Sequence, residues 1–105
     1  MIEQIEDSLN INLPVFYKNT LLNYPFTLHS FSHEFMLVND LEIILSYNQL
    51  DFLKIINKPN CFVIGSDGGE EYYYILLNDN DTVYTYSLET KKSEIYSNNW
   101  TDYIN

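Results

Sequence analysis

The sequence predicts an α+β fold, and three observations carry that reading. Apolar residues recur at helical spacing in the first half, as Ile2, Ile5 and Leu9 and again as Tyr17, Leu21 and Tyr24. The second half divides into short β-branched and aromatic runs at 61–64, 71–77, 82–88 and 93–97, joined by turn residues as in an antiparallel meander. All three glycines (Gly65, Gly68 and Gly69) fall in the connection between the first two runs.

The first helix carries Glu3, Glu6 and Asp7 away from its apolar stripe, with acid near its positive end. Asn10-Ile11-Asn12 breaks it, and Leu13-Pro14 opens a second helix with Pro14 at the first helical position. Pro25 stops that helix. Residues 26–33 alternate weakly, as a strand or an ordered loop, and 34–38 read as a strand. Asn39 then caps a helix over 40–48, with Glu42 at the reciprocal capping-box position and Leu41, Ile44 and Leu45 inward. Leu50 to Ile56 fits neither period. Lys58-Pro59-Asn60 turns into the strand at 61–64, and the glycine segment follows as a tight turn whose backbone must reach φ > 0. Asn78 to Asp81 forms the next turn, 93–97 reads as an edge strand, and Asn98 or Asn99 caps a last helical turn bearing Trp100, Tyr103 and Ile104. Strand 71–77 is apolar on both faces, so its tyrosines either meet a second layer or form an exposed patch.

At 105 residues the chain is expected to form one domain, 1–105. Fifteen Asp and Glu stand against five Lys and no Arg, a net charge of −10. Nucleic acid and anionic membrane surfaces are excluded as partners, because both demand a basic footprint. A basic protein partner would be steered in, with association roughly 10- to 1000-fold faster than at a neutral surface. The lone Cys61 lies in an apolar run, as a buried thiol of a cytoplasmic protein would. The acidic N-terminus does not read as a signal peptide, and no apolar run approaches the roughly 18 residues of a membrane span.

The glycine turn holds no recognisable chemistry. Gly65-Ser66-Asp67-Gly68-Gly69 is neither a dinucleotide nor a phosphate-binding loop, and Asp67 stands where a nucleophile elbow needs serine. Asp79-Asn80-Asp81 begins like a calcium loop, but Val83 and the missing glycine break the pattern. His29 and His33 are four apart without a third ligand, which reads as two surface histidines. No catalytic residue, metal site or cofactor is expected.

Taken together, the pieces resemble the SUKH superfamily, small immunity proteins together with a fungal cell-wall-synthesis regulator. The resemblance rests on the N-terminal helix, on Leu13-Pro14-x-x-Tyr17-x-x-x-Leu21, and on a strand entering Ile64-Gly65-Ser66-Asp67-Gly68-Gly69-Glu70 before an aromatic strand. Asn23-Tyr24-Pro25 departs from the Asn-Gly-Gly that many members carry, and the C-terminal helix is short. The resemblance implies helices packed on a mostly antiparallel sheet of about four to six strands. It also implies no enzymatic activity, and an antidote that neutralises a toxin by binding.

The expected partner is therefore a basic toxin domain, nuclease or deaminase in type, bound by a chain whose monomeric state is favoured. The expected contacts are Asp67, Glu70, Glu71, Tyr72, Tyr74, Asp79 and Asp81, with Gly65, Gly68 and Gly69 forming the turn that presents them. The alternative is a regulatory interaction domain of the same fold. A small-molecule site would need a pocket lined by the polar turn.

Overall fold

Helices α1 (Ile2–Leu9) and α2 (Val15–Leu22) lead to a π-helical turn (Ser32–Met36), then to α3 (Leu41–Tyr47) and α4 (Leu50–Ile56). Strands β1 (Cys61–Ser66), β2 (Glu71–Leu76), β3 (Val83–Ser87) and β4 (Lys92–Ser97) follow, and α5 (Trp100–Ile104) comes last. The structure, a computed structural model, describes residues 1–78 and 81–105. Among those residues the four strands form one antiparallel sheet in sequence order.

Each face of the sheet is covered. Phe62, Ile64, Tyr73, Ile75 and Val83 pack on one side against Ile5 of α1, Tyr17 and Leu21 of α2, Ile44 of α3 and Trp100 and Tyr103 of α5. On the other side Cys61, Val63, Tyr74 and Tyr86 meet Ile56 of α4, with Phe52 and Leu53 half-buried around them. The surplus tyrosines of β2 thus meet a second layer. It is built from residues 50–56, whose periodicity is obscure because Leu50 and Ile55 stay exposed on a helix of only seven residues.

Local chemistry places the helix ends. Asn10 closes α1 in the left-handed conformation, and the Glu6 carboxylate accepts the Leu13 N–H at 2.8 Å, fixing the approach to α2. Pro14 is the N-cap of α2, one residue outside the helix. Asp40, rather than Asn39, caps α3 by accepting the Ile43 N–H at 3.1 Å. Asn99 does the same for α5 through the Asp102 N–H at 2.9 Å.

Residues 32–36 wind into a π turn, which takes in the first three residues of the 34–38 run that the sequence reads as a strand. Two tyrosines hold its exit: the Tyr103 hydroxyl donates to the Met36 carbonyl at 2.6 Å, and the Tyr24 hydroxyl donates to the Leu37 carbonyl. The Val38 N–H donates to the Ile64 carbonyl at 3.1 Å, which attaches the segment to the outer edge of β1. Tertiary hydrogen bonds outweigh the β-propensity of Phe35 to Val38 here.

The glycines divide by role. A β-bulge sets Val63 opposite Tyr74 and Gly65 opposite Tyr73, leaving Ile64 as the extra residue. A Cβ on Gly65 would lie 2.1 Å from the Met36 carbonyl oxygen and 2.3 Å from that of Phe35. Gly65 therefore exists to admit the π turn. Only Gly68 has a positive φ, +83°, while Gly69 needs neither property, since its Cβ would meet nothing closer than 3.6 Å. Elsewhere asparagine takes left-handed positions, at Asn10, Asn57 and Asn60.

Alanine substitutions are accordingly expected to rank in stability. Gly65→Ala should cost about 3 kcal/mol or more, because backbone atoms cannot yield to the methyl group. Gly68→Ala should cost about 1–2 kcal/mol, and Gly69→Ala should stay within about 0.5 kcal/mol of the parent. Urea denaturation of the three variants tests the order. A Gly65→Ala protein as stable as Gly69→Ala would refute the close approach.

Candidate functional site

The connection from β1 to β2 is four residues long, Asp67 to Glu70, and its own polar groups hold it. The Ser66 hydroxyl accepts the Gly68 N–H at 3.0 Å. One Asp67 carboxylate oxygen accepts the N–H groups of Gly69 at 2.8 Å and Glu71 at 3.1 Å. The Asp67 N–H donates to the Glu71 carbonyl, and the Leu88 N–H donates to the Glu70 carbonyl at 2.8 Å, tying the turn to the end of β3. A loop held this way loses little entropy on meeting a partner. Asp67 holds the turn in shape, whereas Glu70 is exposed and Glu71 and Tyr72 are half-buried.

Aromatic rings pack against the turn and against the residues that leave it. The Phe35 ring lies under Gly68, 3.0 Å from where a Cβ would be, and Phe31 packs on it with centroids 5.0 Å apart. Phe31 is 55% exposed, so the pair presents an apolar surface beside the acids. Tyr72 packs edge-on against Phe52 at 4.8 Å and Tyr47 at 5.7 Å. Tyr73 meets the half-exposed Tyr96 at 4.8 Å. Burial, then Tyr96, then the carboxylates of Asp67 and Glu71 push the Tyr73 hydroxyl up to about 12. The turn is thus an acidic tip set among aromatics.

The seven residues expected as contacts do not converge. Asp67, Glu70, Glu71 and Tyr72 lie together at the β1–β2 end of the sheet. Tyr74 is 1% exposed, stacked on Tyr84 at 5.3 Å beneath α4, and presents no surface to a partner. Asp81 lies before β3, at the other end of the six-residue β2, roughly 20 Å away at 3.3 Å per residue. Its carboxylate accepts the Trp100 N–H at 3.2 Å, a second cap for α5. Asp79 falls outside the described residues.

Sequence reasoning missed Phe31, Phe35 and Tyr96. The available signal was the density of aromatics in 31–35, but a strand reading of 34–38 hid that the π turn would carry them to the glycine turn. The histidines stand apart from this site. The His29 N–H donates to His33 Nδ1 at 3.0 Å, and His29 faces Glu34 at 3.5 Å. Among the described residues no three His, Cys, Asp or Glu side chains group as metal ligands. Burial pushes the Cys61 thiol up to about 12, which leaves it unreactive at neutral pH. Among the described residues, no helix is long and apolar enough to cross a membrane.

The family model described as SUKH_6, SMI1-KNR4 cell-wall, matches residues 1–104. The chain belongs to the SUKH_6 family. Searches of curated proteins and of solved structures returned no match. Its glycine turn and aromatic β2 therefore lie within the SUKH_6 match, and membership is consistent with the immunity type of function.

Alkaline pH should unfold the protein through its buried phenols. Burial raises the hydroxyls of Tyr24 and Tyr73 to about 12 and those of Tyr17 and Tyr103 further in the same direction. The folded state holds these protons more tightly than the unfolded chain, whose tyrosines titrate at 10.0. The stabilisation is therefore complete below pH 10 and is lost as pH climbs toward 12. Tyrosinate absorbance and far-ultraviolet circular dichroism should change together in that window. Full tyrosine ionisation with the dichroism intact would contradict the burial.

Proposed function

We propose that this protein is an immunity protein that binds a basic toxin domain, nuclease or deaminase in type, and blocks its active site. The observation that carries the reading is the SUKH_6 match over residues 1–104. The net charge of −10 and the exposed Phe31 and Tyr96 support it, because complementary charge steers a basic partner and aromatic residues are enriched at protein interfaces. Glu70 and Glu71 steer the partner, Tyr72, Phe31, Phe35 and Tyr96 supply apolar contact, and Asp67 keeps the tip in shape. A standard interface covers about 800 Å² per partner, more than a four-residue turn offers, so the flanking aromatics are needed. The family description names the cell wall, and for that reason the second reading is a regulatory domain that binds an endogenous protein.

Co-expression with a toxin reading frame adjacent to its gene should restore growth and yield a co-purifying complex. Failure of the unaltered protein to rescue would overturn the immunity reading. Glu70→Lys combined with Glu71→Lys should slow association about tenfold at low salt and much less at high salt. Association at an unchanged rate would remove the tip from the interface while leaving the immunity reading in place.

A further inference from the structure

Lysine is scarce here, and most of it is gathered in one place. Three of the five lysines, Lys58, Lys91 and Lys92, line a single open cavity of about 480 Å³, and Lys54 joins Lys58 in the neighbouring concavity. Lys58 comes from the segment after α4, Lys91 from the β3–β4 turn and Lys92 from the first position of β4, so the cluster is made by the fold. No Asp or Glu lines that cavity in a chain with fifteen of them. Among the described residues the ion pair present is His29 with Glu34, and no lysine has a carboxylate within 4.0 Å.

Ordinary roles account for only part of the cluster, such as Lys92 on the open edge of β4. The carbonyl end of α4 attracts a cation, which explains Lys54 or Lys58, but Lys91 and Lys92 belong to another element. Lys91 has φ 59°, a left-handed position that the chain also gives to Asn10, Asn57, Asn60 and His29. A lysine there costs backbone energy that asparagine or glycine would reduce. Solubility gains nothing from removing negative charge.

From this juxtaposition we infer that the cavity binds a phosphate group, either free or as the ester of a small molecule. Three ammonium groups suit a dianion, because lysine acts as a point charge toward phosphate oxygens. The cavity's exposed wall is mainly polar, since Ile56 and Tyr86 are buried and only Ile55 of its three large apolar residues is exposed. That suits the phosphate group itself, and the volume falls in the range of small-molecule sites. The nearest acids along the chain, Glu89 two residues before Lys91 and Glu94 two residues beyond Lys92, do not line the cavity, and those more than about 8 Å away are screened at physiological salt.

Amide resonances can be followed while inorganic phosphate, and separately a nucleoside 5′-monophosphate, is added at constant ionic strength. The expected result is saturable shifts at Asn57, Lys58 and Lys91 to Ser93. Each of Lys91→Asn, which suits the left-handed position, and Lys92→Gln should weaken binding about three- to fivefold. Lys18→Gln removes the same charge from α2 and should bind as the parent does. Tighter binding of the nucleotide assigns the site to an ester, and equal binding assigns it to the free anion. Shifts that never saturate, or an equal loss in Lys18→Gln, would overturn the site.

Discussion

A carbonyl group lying where a side chain would otherwise stand determines much of this architecture. Because Gly65 has no Cβ, the backbone of Phe35 and Met36 can press onto β1, and the π turn becomes part of the core. From that contact follow the Val38 hydrogen bond to β1, the tyrosine clamps on Met36 and Leu37, and the placing of Phe35 under Gly68. The candidate interface inherits its shape from the same approach, since the aromatic flank of the acidic tip is the other side of the π turn.

The two edges of the sheet are treated differently. At β1 the buried Asn48 takes the place of a neighbouring strand: its amide accepts the Val63 N–H at 2.7 Å and donates to the Val63 carbonyl at 2.9 Å. At β4 the edge is open, and exposed Lys92 and Glu94 discourage pairing with another chain. One buried side-chain polar group stays unpaired among the described residues, the Tyr17 hydroxyl. An orphan of that kind costs about 1–3 kcal/mol. Its ring offsets this by packing edge-on against Phe62 and Trp100, with centroids 5.4 Å and 6.1 Å away.

Much of the fold was legible in the sequence, because the N-terminal stripe and the meander are local patterns. Ile5, Tyr17 and Leu21 are buried as their spacing predicts, and the strands fall within one or two residues of the expected runs. The π turn was not legible: five consecutive mixed apolar residues look like a strand when the partners that bend them are Tyr24, Gly65 and Tyr103. The acids of the tip could be read from sequence, since a tight polar turn exposes what it carries. Its aromatic surround could not, because Phe31, Phe35 and Tyr96 arrive from distant segments. Alternation likewise reports which face Tyr72 and Tyr74 occupy, but it is silent about α4 covering that face.

The last helix binds the molecule to its beginning. The Trp100 indole N–H donates to the Thr20 hydroxyl at 2.8 Å, across 80 positions, and Tyr103 reaches Met36 across 67. Contacts of such separation are formed late and slowly, since the loops they close must be ordered first. During synthesis, α2 and the π turn must therefore wait unfinished until residues 100–104 have emerged. A chain of this design leaves Thr20 and the Met36 carbonyl without their partners until that segment is available to close over them.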